Sequence, residues 1–284
     1  MTLLTYEEFK RQIENLKMDK RVAIDYLRFF QEIFAAQYEI QTKLNPNNIY
    51  PVIQDKEHIE HSGLPVINPN NLNPDESVLL ALLKKLDDIL KNFAPVKEPT
   101  TRKLLSAAGS GKINLGDLVR ALTAGDVDII AAGSQKINSP VDEVTFIIIN
   151  LARPFLRVLA ESERQNIYLE NTLTDRCPIC GGVPLMAKLQ KDEGKRIVEC
   201  YLCGTQWAFK RLRCPFCGNE NHKTLSYIFL EGDSCRIDKC DNCKRYIKTF
   251  DERKSTEDQP PSLLVQDLAT IYLDMIAARE GYQR

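Results

Sequence analysis

Apolar positions in the first half of the chain recur at the spacing of a helix face. Between Val22 and Leu44 they return every three, four or six residues, and residues 76–93 carry a wider stripe of Leu, Ile and Val. Such spacing places the apolar side chains on one side of an α-helix. It predicts a long amphipathic helix over each segment, separated by an Asn- and Pro-rich loop that ends at Asp75.

The same pattern continues in shorter segments. It predicts helices over Thr101–Ala108, Leu115–Ala124 and Val127–Ala132. Ser139-Pro-Val-Asp142 resembles a capping box with proline at the first helical position, and it opens an apolar segment that runs toward Glu161. Because that segment is apolar on several sides, we expect it to be the buried centre of an all-α N-terminal domain covering residues 1–170.

The pattern changes after residue 170. Cysteine pairs now alternate with β-like segments such as Arg196–Val198 and Leu225–Leu230, and a last apolar stripe over Leu263–Arg279 predicts a C-terminal helix. The predicted fold class is α+β. It comprises the helical domain, two tandem rubredoxin-like or zinc-ribbon modules over residues 171–253, and a linker with the final helix over residues 254–284.

Eight of the nine cysteines form four Cys-x-x-Cys pairs. The intervals between successive pairs are nineteen, ten and twenty-two residues, and the pairs are Cys177/Cys180, Cys200/Cys203, Cys214/Cys217 and Cys240/Cys243. Two thiolates at this spacing converge on one metal ion, and a second pair completes a tetrahedron. The sequence therefore predicts two metal ions, each bound by four cysteines. Consecutive pairing is favoured over a cross-braced arrangement because it closes shorter loops.

Local residues refine this prediction. Gly181, Gly204 and Gly218 follow the second cysteine of three pairs, where the chain must turn with positive φ. Cys235, the ninth cysteine, is interpreted as a small buried hydrophobe or a surface thiol. Four thiolates suit either zinc or iron, so the metal stays open at this point. Since protein fills every coordination position, we expect no metallohydrolase, no catalytic residues and no enzyme.

Composition limits the class of protein. The chain is 43% hydrophobic and 27% charged, which is typical of a globular protein. Lys and Arg total 38 against 39 Asp and Glu, and this balance does not favour nucleic acid as the main partner. The first nine residues show no export signal, and the apolar runs fall short of the roughly 20 residues that span a bilayer. We therefore expect a cytoplasmic protein without a membrane partner, whose cysteines bind metal rather than form disulfides.

Five segments resemble one known family. They are Cys177-Pro-Ile-Cys-Gly-Gly-Val-Pro184, Cys200-Tyr-Leu-Cys-Gly-Thr-Gln-Trp207, Cys214-Pro-Phe-Cys-Gly218, Cys240-Asp-Asn-Cys-Lys-Arg-Tyr-Ile-Lys248 and Asp267-Leu-Ala-Thr-Ile-Tyr-Leu-Asp274. The family is that of the formate dehydrogenase accessory proteins, FdhE. The resemblance implies a cytoplasmic maturation factor that binds the catalytic subunit of a molybdenum or tungsten formate dehydrogenase, with iron at the cysteine pairs. Glu199 and Gln266 depart from it, since the family pattern has histidine and an acidic residue there.

The segment between the two middle cysteine pairs is a candidate partner surface. It carries Trp207, Lys210, Arg211 and Arg213, and arginine and tryptophan are favoured at protein interfaces. The alternative is that Trp207 packs over a metal knuckle and the cations form a solvated face. Two other functions compete with a maturation factor: a nucleic-acid-binding zinc ribbon and a rubredoxin-like electron-transfer protein.

Overall fold

The structure is a computed structural model that describes residues 4–17, 21–50, 65–163, 174–255 and 260–284. The predicted domain boundary at residue 170 lies outside the described residues, as do residues 256–259 of the predicted linker. The predicted domain limits therefore stay predictions. Among the helices of the described part of the chain, none is long and apolar enough to cross a membrane.

The N-terminal half is helical, as predicted. Its helices are α1 Tyr6–Leu16, α2 Ile24–Gln41, α3 Pro46–Ile49, α4 Glu76–Phe93, α5 Thr100–Gly109, α6 Leu115–Ala124, α7 Val127–Lys136 and α8 Val141–Glu163. Side chains at the N-caps explain several of the starts. Asp75 accepts hydrogen bonds from the backbone amides of Ser77 and Val78 at the start of α4, and Asn114 accepts one from Asp117 at the start of α6.

The chain folds into two compact units. The first consists mainly of residues 28–166 and is built around α8, which packs against α3, α4, α5, α6 and α7. Apolar side chains on several sides of α8 are buried, including Ile147, Leu151 and Leu156. This confirms the prediction that α8 forms the centre of the helical part.

The second unit consists mainly of residues 182–284 together with residues 7–27. The side chain of Gln12 accepts a hydrogen bond from the Ser262 amide at 2.9 Å, and Arg21 pairs with Asp233 at 2.7 Å. The first helix thus packs within the cysteine-rich unit, although it precedes the helical core in the sequence. The hydrophobic pattern does not indicate this packing.

The second unit contains one six-stranded sheet in the order β3-β2-β1-β6-β5-β4. The strands are β1 Pro184–Leu189, β2 Arg196–Cys200, β3 Gln206–Ala208, β4 Leu225–Phe229, β5 Cys235–Cys240 and β6 Arg245–Asp251. β1 to β3 are antiparallel and carry the first cysteine pairs, and β4 to β6 are antiparallel and carry the last. The two predicted modules are therefore present, and the parallel pairing of β1 with β6 joins them into one sheet.

The C-terminal helical segment is divided into α9 Leu263–Ala269 and α10 Ile271–Arg279. Apolar residues of both helices pack on one face of the sheet in a core with Met186, Ile237 and Phe250. The break lies at Thr270, where the ammonium group of Lys248 donates to the Asp267 carbonyl at 2.7 Å and to the Thr270 carbonyl at 3.4 Å. Because Lys248 takes acceptors that a continuous helix would use itself, the single predicted helix is two helices.

Candidate metal centres

The structure brings the eight paired cysteines together in two clusters. Cys177, Cys180, Cys200 and Cys203 form the first, and Cys214, Cys217, Cys240 and Cys243 form the second. Within each cluster all four sulfur atoms lie within 4.8 Å of one another. This confirms consecutive pairing over the cross-braced alternative.

The sulfur distances suit a tetrahedral metal ion. Metal–sulfur bonds of about 2.3 Å imply tetrahedral sulfur–sulfur edges of about 3.8 Å. The Sγ atoms are 3.5 Å apart for Cys177 and Cys203, and 3.7 Å apart for Cys214 and Cys243. Cys217 and Cys240 are separated by 3.8 Å. The donor set therefore fits zinc or iron at both centres and leaves no protein-free coordination position.

The cysteine pairs share one turn geometry. In three of them the amide of the first cysteine donates at 2.8 Å to the carbonyl five residues later, at Gly182, Thr205 and Asn219. The glycines after these pairs have the expected left-handed conformation, with φ of 73° at Gly181, 75° at Gly204 and 70° at Gly218. The fourth pair makes the same kind of turn without glycine, because Lys244 adopts φ 55°. The sequence indicates three of these positions and misses the fourth.

Hydrogen bonds to sulfur orient the ligands. Thr205 contacts Cys203 Sγ through its hydroxyl at 3.1 Å, and the Leu202 amide donates to Cys200 Sγ at 3.4 Å. At the second centre the side-chain amide of Asn219 donates to Cys240 Sγ at 3.5 Å. Such donors stabilise thiolate charge and hold the ligands in place around a metal ion.

The two centres differ in exposure. All four cysteines of the first are buried, whereas Cys217 of the second is exposed and Cys243 is partly exposed. Although partial burial opposes ionisation, hydrogen bonds from the Asn219 backbone and the Asn242 side chain lower the pKa of Cys217 to about 7. The second centre is therefore the one that solvent and small reagents reach. Cys235 is buried instead, and that burial raises its pKa to about 12, so the ninth cysteine is an inert core residue.

A buried arginine links the two modules. Arg196, the first residue of β2, is 4% exposed and donates to the carbonyls of Arg211 at 3.4 Å and Arg213 at 3.0 Å. These carbonyls precede Cys214, so the first module holds the loop that carries a ligand of the second. Burial lowers the pKa of Arg196, while the nearby Asp238 carboxylate opposes that change.

The structure separates the members of the expected partner surface. Trp207 is 1% exposed and its indole donates to the Thr174 carbonyl at 2.9 Å, so direct contact of this side chain with a partner is incompatible with its position. Arg213 is partly buried and pairs with both Asp175 and Glu220 at 2.6 Å. Lys210 and Arg211 are exposed. The burial of Trp207 has a simple physical cause, since a small module has few other large side chains with which to fill its core.

A buried ionic cluster lies beneath the C-terminal helices. Lys248 is 1% exposed, and its ammonium group lies 2.9 Å from Asp267 and 2.6 Å from Asp274. Arg284 also pairs with Asp267, and the Tyr246 hydroxyl donates to Asp274 at 2.6 Å. The sequence places the two aspartates seven residues apart on one face, but it does not indicate their cation. A lysine on an alternating strand is ordinarily assigned to the solvent face.

Comparison with known proteins identifies the metal-binding half. Residues 176–211 match a family model described as "FdhE, central domain", and residues 212–284 match one described as "FdhE, C-terminal domain". Residues 176–284 therefore comprise the two FdhE domains. The two models meet between Arg211 and Leu212, close to the point at which the first module passes into the second.

Relatives of the family extend the similarity over the chain. An FdhE homolog of Aquifex aeolicus is 31% identical over 145 residues, a match that spans half of this chain and half of that relative. One from Haemophilus influenzae strain Rd is 24% identical over 98% of this chain and 85% of its own. The crystal structure of the FdhE protein from Pseudomonas aeruginosa has a TM-score of 0.61 and 21% identity, covering 99% of this chain and 94% of that one. At that identity the structural likeness shows a shared fold.

The two residues that depart from the expected family pattern have local partners in the structure. Glu199, in place of histidine, is buried and accepts a hydrogen bond from Gln206 at 2.7 Å. Gln266, in place of an acidic residue, lies 3.8 Å from the sulfur of Cys235. Neither residue belongs to a metal cluster, so the substitutions leave both centres complete.

Proposed function

We propose that this FdhE-family protein is a cytoplasmic maturation factor that binds the catalytic subunit of a molybdenum or tungsten formate dehydrogenase and is needed for its assembly or activation. The observation that carries the proposal is the coincidence of the family match with the metal-binding sheet. Residues 176–284 match FdhE and contain all eight ligands. A partner-binding protein requires a rigid surface, and two four-thiolate centres on a continuous sheet supply one.

In this proposal the protein binds a partner protein and catalyses no reaction. Each cluster offers four thiolates, the full ligand set of a structural site. Iron, which the family resemblance favours, would add a one-electron oxidation-state change, whereas zinc would not. The residues themselves hold the knuckle loops in position and shield the first centre from water.

The partner surface proposed from the sequence now rests on Lys210 and Arg211. Both are exposed on the loop that runs from β3 to Cys214, and Arg196 fixes the carbonyl of Arg211. Trp207 lies on β3 just before this loop and is buried. Arg213 contributes through its ion pairs with Asp175 and Glu220, which hold the loop in place.

Capture of the catalytic subunit tests the proposal. Tagged protein, expressed in cells that grow on formate, should retain the subunit of a formate dehydrogenase. The double variant Lys210→Ala/Arg211→Ala should weaken capture at least ~10-fold, or about 1.4 kcal/mol, without loss of metal. Lys84→Ala/Lys91→Ala, exposed on α4, is the matched control and should capture normally.

Two results would contradict the proposal. Wild-type protein with two bound metal ions that captures no formate dehydrogenase subunit would remove the function. Normal capture by Lys210→Ala/Arg211→Ala, together with loss of strongly salt-dependent binding to single-stranded RNA, would instead identify a nucleic-acid module.

A further inference from the structure

The outer edge of β4 is open. This strand pairs only with β5 in the described part of the chain and ends the sheet. The Asp241 amide donates to the Thr224 carbonyl at 2.9 Å, which fixes the alternation of inward and outward backbone groups. Ser226 and Ile228 therefore bond toward β5. The amides and carbonyls of Leu225, Tyr227 and Phe229 point outward, and an exposed edge of this kind accepts an added strand.

Within the part of the chain that the structure describes, the sheet face at this edge is also exposed. Ile228 and Ile237 point toward the core beneath α9 and α10, so Tyr227 and Phe229 point to the opposite face. These two rings are 57% and 54% exposed, and their centroids lie 6.1 Å apart. A small groove of about 80 Å³ lies beside Tyr227, between β4, β5 and the loop that carries Arg211 and Leu212.

Cations outnumber the anionic groups that line the groove, although the chain as a whole has a formal charge of -1. Its lining includes one carboxylate, Asp238, the metal-ligand sulfur atoms of Cys214 and Cys240, and six cations: Arg196, Arg211, Arg213, Arg236, Lys239 and Arg245. Asp238 is already engaged by Arg236 at 2.7 Å and by Thr249 at 2.7 Å. The occupant that complements this lining is acidic.

The aromatic rings favour a peptide over a nucleic acid. The guanidinium of Arg236 lies 4.8 Å from the centroid of Tyr227, and the ammonium of Lys254 lies 5.3 Å from that of Phe229. One face of each ring is thus covered by a cation of the protein, which reduces the ring surface on which a base can stack. Outward amides and carbonyls, by contrast, are the groups that an extended polypeptide pairs with.

We propose that β4 and the adjacent groove bind an extended acidic segment of a partner protein, which adds to the sheet as a seventh strand. Acidic side chains of the segment lie on the groove side, and the alternate apolar side chains lie beside Ile228. This inference deepens the proposed function by naming the surface and the chemistry of the segment that it takes. It rests on that function only for the identity of the partner.

The first experiment uses a synthetic probe. A fluorescent twelve-residue peptide of alternating Glu and Val should bind the metal-loaded full chain at least ~10-fold more tightly than its Lys–Val counterpart. Amide hydrogen exchange should slow at Leu225, Tyr227 and Phe229 when the Glu–Val peptide is bound. Equal binding of the two peptides, or binding without protection at these amides, would overturn the proposal.

Two variants locate the contact. Tyr227→Pro removes an outward amide and leaves the β5 ladder intact, a change that edge strands tolerate. Arg211→Glu reverses an exposed cation of the groove. Each should weaken Glu–Val binding at least ~10-fold with unchanged metal content. Val127→Pro, at the exposed first position of α7, and Lys84→Glu are the matched controls and should bind as wild type.

The catalytic subunit of a formate dehydrogenase is the second probe, and it separates the two proposals. Subunit capture that survives Tyr227→Pro would overturn the docking site and leave the proposed function intact. Peptide binding that behaves as described, with no capture of the subunit, would remove the function and leave the docking site. A wild-type dimer that Tyr227→Pro converts to a monomer would identify a second copy of the chain as the occupant and overturn the proposal. So would oligouridine binding that only Arg211→Glu abolishes.

Discussion

Lys248 is a buried cation whose charge is balanced within hydrogen-bonding distance. Its ammonium group meets the carboxylates of Asp267 and Asp274 and the backbone carbonyl of Asp267 near the end of α9. Removal of a charge from water costs several kcal/mol, and only well-placed partners offset that cost. The cluster therefore stabilises the attachment of the C-terminal helices as long as every partner is present.

Loss of the Lys248 ammonium group should lower the free energy of unfolding by a large amount. Lys248→Met leaves Asp267 and Asp274 with Arg284 as their remaining cation, and breaking a buried ion pair costs about 3–5 kcal/mol. Urea unfolding, followed by circular dichroism, measures the change. Lys210→Met, at an exposed position, should cost less than about 0.5 kcal/mol. Equal midpoints for the two variants would show that the buried cluster contributes nothing.

The same cluster predicts acid sensitivity. Burial alone would raise the pKa of Asp267, but Lys248 and Arg284 outweigh burial and lower it below its usual value. An Asp with a lowered folded-state pKa contributes stability that is complete above its unfolded value near 3.9, and that is lost as pH falls through the folded value. The stability gap between wild type and Asp267→Asn should therefore be constant above about pH 5 and shrink below about pH 4. A gap that widens on acidification would reverse this assignment.

At the scale of single residues, the sequence predicts the structural role of a residue whose type allows only one role. Paired thiols bind metal, and a glycine after a knuckle turns with positive φ, so both are predictable from residue type. Lys248 and Trp207 are not, because their long side chains have both apolar and polar parts and the surrounding fold decides which part is buried.

Among the structural elements, the turn at the fourth cysteine pair, Cys240/Cys243, carries local backbone strain. Lys244 holds the left-handed conformation that glycine holds in the other three, at a cost of roughly 1–2 kcal/mol for a residue with a Cβ. Lys244→Gly removes that cost and adds up to about 1 kcal/mol of unfolded-state entropy. We expect net stabilisation of about 0.5–1 kcal/mol, measured as an increase in the thermal midpoint of the metal-loaded protein. The reverse substitution at another cysteine pair, Gly204→Lys, should be destabilising.

Helix periodicity is the most accurate of the predictions at this scale. The segments over residues 76–93 and 115–124 have the predicted ends. Side-chain caps mark their starts as clearly as the apolar stripe does, and Gly125 in the left-handed conformation marks the end of the second. The break at Thr270 is not predictable in the same way. Its cause is Lys248, which belongs to a strand about twenty residues earlier and reaches the helix only in the folded state.

Across the whole molecule, the unequal burial of the two centres predicts an order of metal release. The second centre should lose its ion first to a chelator such as EDTA, since Cys217 is exposed and every ligand of the first is buried. We expect two kinetic phases of equal amplitude, one ion each. Cys214→Ser should remove the fast phase and Cys177→Ser the slow one, while Cys235→Ser keeps both. A single phase that releases both ions would contradict independent access.

Loss of a ligand should also lower the stability of the neighbouring module, although the neighbouring centre keeps its ion. Metal binding energy is folding energy in small modules, and here the modules share a sheet. The sequence predicts two tandem modules because their spacing repeats. It does not predict that the two modules join into one sheet. The pairing of β1 with β6 depends on which strand edges meet in the folded protein, and neither module's sequence shows this alone.

That pairing sets the order in which the protein can be completed on the ribosome. Met186 of β1 pairs with Lys248 of β6, so the partner strand is made about sixty residues after β1 itself. At a synthesis rate of roughly 5–20 residues per second, β1 waits for several seconds with one side of its backbone unpaired. During that interval the nascent chain presents a bare strand edge that the finished protein lacks, and that edge can pair with a neighbouring nascent chain. Conditions that slow elongation between β1 and β6 therefore lengthen the period in which this protein is most prone to aggregate.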